Sequence, residues 1–151
     1  MKLGACLALA AVFAVSACGG TGHDRLSKRG YESKLKTAFA AANAGLAPAP
    51  HTAGSVDLLK RIAKSYGGIA AALTGLRVPA NVQALNDRLA TAAAARADAL
   101  NALVAKLVTA SPSDRQRLLA QYDAAQVGRD FDRAVAGLVA GGYRFRPSAG
   151  T

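Results

Sequence analysis

The sequence predicts an all-α protein, a four-helix, up-down-up-down bundle standing behind a cleaved N-terminal signal segment. Two observations carry the helical part. In four successive stretches between Ser27 and Ala140 the apolar residues recur at three- and four-residue steps, which lays one stripe along an α-helix. Between those stretches stand residues that stop one helix and start the next: Pro48 to Gly54, Gly75 to Pro79, and Ser111 with Pro112, with Gly141-Gly142 closing the last. The second and third connections are short, so the helices they join are expected to be antiparallel neighbours. A third observation sets the first residues apart: after Met1-Lys2 comes an apolar run, Leu3 to Ala17, that ends at Cys18. From Cys18 onward the chain is one domain's worth, long enough to bury a core.

The first helix is expected from about Ser27 or Gly30 to Leu46, with Tyr31, Leu35, Ala38, Phe39, Ala42 and Leu46 as its stripe. At 100° per residue Arg25, Arg29 and Lys36 fall on one flank, a membrane-facing basic flank or a solvated helix face, and Lys34 falls on the opposite one. Ser55 caps the second helix and Asp57 complements its dipole. Its stripe is Leu59, Ile62, Tyr66, Ile69, Leu73 and Leu76, interrupted by Gly67-Gly68, which marks a close helix crossing or a local break. Gly75 and Pro79 then supply a stop and a start. The third helix, Ala80 to Thr109, is the longest, at roughly 45 Å, and carries Val82, Leu85, Leu89, Ala93, Leu100, Leu103 and Leu107. Ser111, Pro112 and Asp114 form a capping signal for the fourth, which is expected to reach Ala140. Leu118, Leu119 and Tyr122 point differently from Val127, Phe131, Val135 and Leu138, so a bend near Gly128, or a shift in which neighbours the helix touches, is expected.

Arg96 breaks the stripe of the third helix, standing between Ala93 and Leu100. A guanidinium there must meet a carboxylate or reach water, because an unpaired buried charge costs several kcal/mol. With antiparallel neighbours, Asp57, Asp123 and Asp130 lie within about a turn of its level. The expectation is a buried polar layer of Arg96, Asp57, Asp123 and Asp130, a salt-bridged register element or an anion site.

Fifteen apolar or small residues precede Cys18, fewer than the roughly 20 needed to span about 30 Å of hydrocarbon. One positive charge, an apolar run and a small-residue end have the form of a secretory signal. Val15-Ser16-Ala17-Cys18 resembles the lipobox of bacterial lipoproteins, an aliphatic residue, two small ones and a Cys. The resemblance implies that the Cys18 thiol receives a diacylglycerol, that the chain is cut before it, and that the new amino terminus is often acylated too. Two or more chains hold where one holds only marginally. The leader, together with the L-x-V-P-x-x-V junction from Leu76 to Val82, is also similar to small helical lipoproteins of GC-rich bacteria, a likeness that implies no activity. The expected division is 1–17 signal peptide, 18–25 lipidated flexible tether, 26–141 helical bundle domain and 142–151 disordered tail.

The formal charge is +10, and +9 once Lys2 leaves with the signal segment. An exported basic chain meets anionic lipids, wall polymers or envelope proteins, and no nucleic acid is expected. Heavy Ala and Arg usage is equally the mark of a GC-rich genome. Cys6 lies in the leader, so Cys18 is left with no disulfide partner and no cysteine metal cluster is formed. His23 and His51 stand in linkers, and Glu32 is the only Glu, which excludes paired Glu-x-x-His ligands. The glycines after Cys18 do not form a phosphate loop, and neither H-E-x-x-H nor G-x-S-x-G occurs. The sequence therefore points to no enzyme, no metal and no cofactor beyond the lipid on Cys18. The expected protein is a passive interaction module on the outer face of the cell membrane, or of the outer membrane where the cell has one. The alternative is a carrier or sensor holding a small apolar ligand near Gly67 and Arg96, in a cavity lined by Tyr66 and Leu89.

Overall fold

The computed structural model describes residues 25–46, 55–123 and 126–145. Among them all regular structure is helical: α1 (Lys28–Leu46), α2 (Val56–Leu73), a 3-10 turn (Ala80–Val82), α3 (Gln83–Thr109), α4 (Pro112–Asp123) and α5 (Gln126–Ala140). The expected signal segment, Cys18, the expected linker at Pro48 to Gly54, both histidines and residues 146–151 lie outside the described residues.

Local chemistry sets the helix ends. Ser27 Oγ accepts from Gly30 N at 3.1 Å, Ser55 Oγ from Leu58 N at 3.2 Å, and Ser111 Oγ from Asp114 N at 3.3 Å. Each satisfies a first-turn N–H that has no intrahelical partner. Gly75 and Gly142, at φ of 75° and 78°, end α2 and α5 in the left-handed conformation that a residue without Cβ adopts freely.

Contacts between elements order the helices. Leu26 N donates to Arg77 O at 2.7 Å, tying the start of α1 to the end of α2, and Ser65 Oγ donates to Ala42 O at 2.9 Å farther along. The main core gathers Tyr31, Leu35, Leu73, Leu89, Phe131 and Leu138. A second cluster, Leu59, Ala63, Leu100, Leu103 and Leu107, lies at the other end, covered by Leu118, Leu119 and Tyr122 of α4.

Three expectations take a different form. The fourth stretch is described as two helices, α4 and α5, on either side of residues 124–125, which lie outside the described residues. Leu118, Leu119 and Tyr122 serve the second cluster while Phe131, Val135 and Leu138 serve the first. One straight helix cannot turn both faces inward.

The stripe of α3 also takes a different step. Asn86 and Ala97 are buried while Leu85 and Arg96 are only partly covered, so the inward row runs Val82, Asn86, Leu89, Ala93, Ala97, Leu100. Steps of three and four are interchangeable to the eye, and the neighbours decide between them. Asn86 is fully buried, and its Nδ2 donates to Leu73 O at 3.2 Å, serving a carbonyl at the end of α2.

The third correction is the tail. Tyr143 and Phe145 are 5% and 1% exposed, so residues 142–145 belong to the folded body. Gly142 N donates to Val139 O and Tyr143 N to Leu138 O, which reverses the chain onto α1. There Tyr143 meets the edge of Tyr31 at 5.5 Å and Phe145 meets Phe39 at 5.2 Å. At the other limit, Arg25, assigned to the tether, donates from Nη1 to Val78 O at 3.0 Å.

α2 runs unbroken through Gly67-Gly68. A Cβ at Gly67 would stand 3.9 Å from Ala97 Cβ, the close crossing, whereas one at Gly68 would meet nothing within 4 Å. Gly68 thus carries the roughly 1 kcal/mol cost of a helical glycine with no neighbour requiring it.

Tyr31, fully buried, has its hydroxyl pushed well above the usual tyrosine range, by burial first and then by Tyr143 and Asp87. The folded state therefore prefers the neutral phenol. Stability is intact below about pH 10 and falls by up to about 1.4 kcal/mol per pH unit above it. Denaturant midpoints at pH 8 and pH 11 should show the loss. Tyr31→Phe should flatten it, and an equal loss in that variant would assign the effect to other groups.

Candidate functional site

The end of the molecule where α1 begins is built from three separate pieces of chain. Arg25 and Leu26 bind the loop at 77–78 through the two contacts given above. Lys28 Nζ lies over the Tyr143 ring, 5.2 Å from its centroid. Arg144 N donates to Glu32 Oε1 at 3.0 Å, pinning the returning chain to α1. The result is a pole at which Arg25, Lys28, Arg29, Arg77 and Arg144 are all exposed. Among the described residues Glu32 and Asp87 are the carboxylates beside it, so the charge balance of those residues is positive.

Of the basic flank read from the sequence, Arg25 and Arg29 belong to this pole. Lys36 is exposed two turns farther along α1, and Arg25 precedes the helix, held on the Val78 carbonyl. Lys28, Arg77 and Arg144 were not legible as partners, because only the folded-back tail and the α2 to α3 loop bring them to α1. The alternation Tyr143-Arg144-Phe145 was the one signal, apolar residues turned inward with a cation between them.

Arg96 is held otherwise than expected. Its Cζ lies 4.6 Å from the Tyr66 ring and 5.7 Å from that of Phe131, and those rings meet edge to face at 4.9 Å. Nη1 is 3.5 Å from Gly128 O and 3.8 Å from Asp132 Oδ1. The carboxylate it meets is thus that of Asp132, itself 77% exposed, while the Arg96 side chain is 23% exposed. Asp130 pairs with Arg133 at 3.0 Å, Asp57 is exposed in the first turn of α2, and the side chain of Asp123 lies outside the described residues. Burial pushes the Tyr66 hydroxyl up, and the Arg96 guanidinium pulls it partly back. A cation stacked on two rings fixes the crossing of α2, α3 and α5 more than it offers a site.

Two grooves open on the surface. One, of ≈ 570 Å³ between α3 and α5, is lined by Asp87, Arg88, Asp130 and Arg133 in balanced charge. The other, of ≈ 680 Å³ between α1 and α2, carries Lys34, Arg61 and Lys64. Neither is lined by Tyr66 or Leu89. Among the described residues no group of three His, Cys, Asp or Glu is placed to hold a metal, and no helix is long and apolar enough to cross a membrane. No protein-family model, curated protein or solved structure matches the chain.

Proposed function

We propose that the chain is a lipid-anchored helical lipoprotein of the cell envelope, held on the outer face of the membrane through Cys18, and that it is a non-catalytic interaction module whose cationic pole lies on anionic headgroups. The observation that carries this reading is the convergence of Arg25, Lys28, Arg29, Arg77 and Arg144 at the end from which the chain runs back to Cys18. Six residues, Gly19 to Asp24, separate Arg25 from Cys18, so the seven Cα steps between them reach about 25 Å at most. A pole on so short a lead can rest against the bilayer surface, where each cation within a Debye length of anionic lipid contributes about 1 kcal/mol. In this reading the body is an up-down arrangement of four helical segments, the last divided into α4 and α5, standing on the end that holds both termini of the fold.

The test has two parts. Labelled palmitate should enter the wild-type protein in cells and not Cys18→Ala, and equal labelling of both would end the anchor reading. The salt-sensitive binding of the purified Cys18→Ala chain to anionic vesicles should fall roughly hundredfold in Arg29→Gln/Arg77→Gln/Arg144→Gln, three charges at about 1 kcal/mol each. Equal binding to neutral and anionic vesicles would remove the pole from the mechanism.

A further inference from the structure

The groove between α1 and α2 has a chemistry separate from the pole. Its ≈ 680 Å³ falls within the range of small-molecule sites. Its lining is largely methyl groups and bare backbone, with Ala38, Ala42, Gly68 and Ala72 among them, and among the described residues its charges are Lys34, Arg61 and Lys64 with no lining carboxylate. The wall's two hydroxyls are already engaged, Thr37 with Ser33 O at 3.0 Å and Ser65 with Ala42 O at 2.9 Å. What remains for a ligand is cationic or apolar.

These features are ordered along the groove. The Ser65 to Ala42 contact sets the level, so Arg61 and Lys64 stand beside the last turns of α1 while Lys34 and Leu76 stand toward its start. From Lys34 to Asn43, the level of Lys64, is nine residues of helix, about 14 Å. One end thus holds two cations a turn apart on α2, and an apolar trough runs from them toward Leu76. Gly68 lies on that trough, where a Cβ would meet nothing within 4 Å, so there is room above it for a ligand chain.

A bare anion would leave the trough uncovered, and a neutral chain would leave the cations unmatched. We propose that the α1–α2 groove binds a single-chain anionic amphiphile, its phosphate or carboxylate head between Arg61 and Lys64 and its aliphatic chain along the alanine floor toward Leu76. Arg61 offers the planar donor fork suited to such heads. The stem of Lys34 flanks the far end of the chain, as long cationic side chains cover apolar surface. The inference does not rest on the anchor at Cys18 or on the pole, none of whose residues lines the groove.

The test is calorimetric titration of the full chain with dodecyl phosphate and with dodecanoate, each below its micellar concentration. Saturable one-to-one binding of either is the expected result, with inorganic phosphate and a neutral dodecyl glycoside at least tenfold weaker. Gly68→Leu, which fills the trough, and Arg61→Gln/Lys64→Gln, both at exposed positions, should each weaken binding tenfold or more. All variants share one full-length background, so uptake by any other apolar segment cancels in the comparison. Should Gly68→Leu lose helix content by circular dichroism, the double charge variant carries the test alone. Binding of neither amphiphile, phosphate binding as tightly as its dodecyl ester, or folded variants that bind like the wild type would each overturn the proposal.

Discussion

Replacing Phe145 by alanine is expected to cost about 3–5 kcal/mol of folding stability, the range for emptying an aromatic site in a core. The residue stands close to the end of the sequence, where truncation is ordinarily silent. Its ring, however, is 1% exposed and 5.2 Å from that of Phe39, which in turn meets Phe131 at 6.3 Å. Removing it opens a void beside Phe39 of α1, while Tyr143 stays packed against Tyr31 on the same helix. At about 3–5 °C per kcal/mol for a chain of this size, the thermal midpoint should fall by about 10 °C or more. The same variant should weaken the salt-sensitive binding to anionic vesicles, since the returning chain is what sets Arg144 beside Lys28 and Glu32. A midpoint within about 2 °C of wild type, by circular dichroism, would show that the tail contributes nothing to the fold.

Much of this architecture was legible residue by residue. Ser27, Ser55 and Ser111 announce helix starts because a side-chain oxygen beside a free N–H is a local matter, decided within four residues. Gly75 likewise marks an end through its own φ. What needed the third dimension was whatever depends on distant partners. Tyr143 and Phe145 read as a tail because nothing near them in sequence covers them, and their cover is α1, more than 100 residues upstream. Arg96 read as a violation because Ala97, one position on, satisfies the same stripe with a four-step in place of a three-step. The basic pole was half visible in Arg25 and Arg29, whereas Arg77 and Arg144 join it only once a loop and a reversal place them there. The α1–α2 groove was hidden for a different reason. Lys34 looked like a lone cation on the wrong flank, and its partners Arg61 and Lys64 belong to another helix.

Asn86→Asp is expected to destabilise the protein by about 4 kcal/mol at pH 7 and far less below about pH 4. The change is nearly isosteric, so packing is kept and the chemistry alone is altered. Asn86 is fully buried, and its Nδ2 is the donor to Leu73 O at 3.2 Å, with Asp87 Oδ1 at 3.4 Å. An aspartate puts an oxygen in place of that nitrogen, facing a carbonyl on one side and a carboxylate on the other. Both the repulsion and the burial favour the protonated acid in the folded state, which raises its folded pKa above the unfolded value of about 3.9. For a group raised in this way stability is retained below the unfolded pKa and lost as pH rises through it. The loss accumulates at about 1.4 kcal/mol per unit until the folded pKa is passed, which gives about 4 kcal/mol by pH 7 if the acid stays neutral there. In its protonated form the introduced acid can also donate to Leu73 O, restoring the bond that serves the end of α2. Asn86→Leu supplies the control, since it removes the donor at a cost of about 1–3 kcal/mol that does not vary with pH. Denaturant unfolding of the three proteins between pH 3.5 and pH 7 decides the matter. Parallel curves for the aspartate and leucine variants would mean that position 86 feels no buried charge, and that the inward row of α3 has been misassigned at its first polar step.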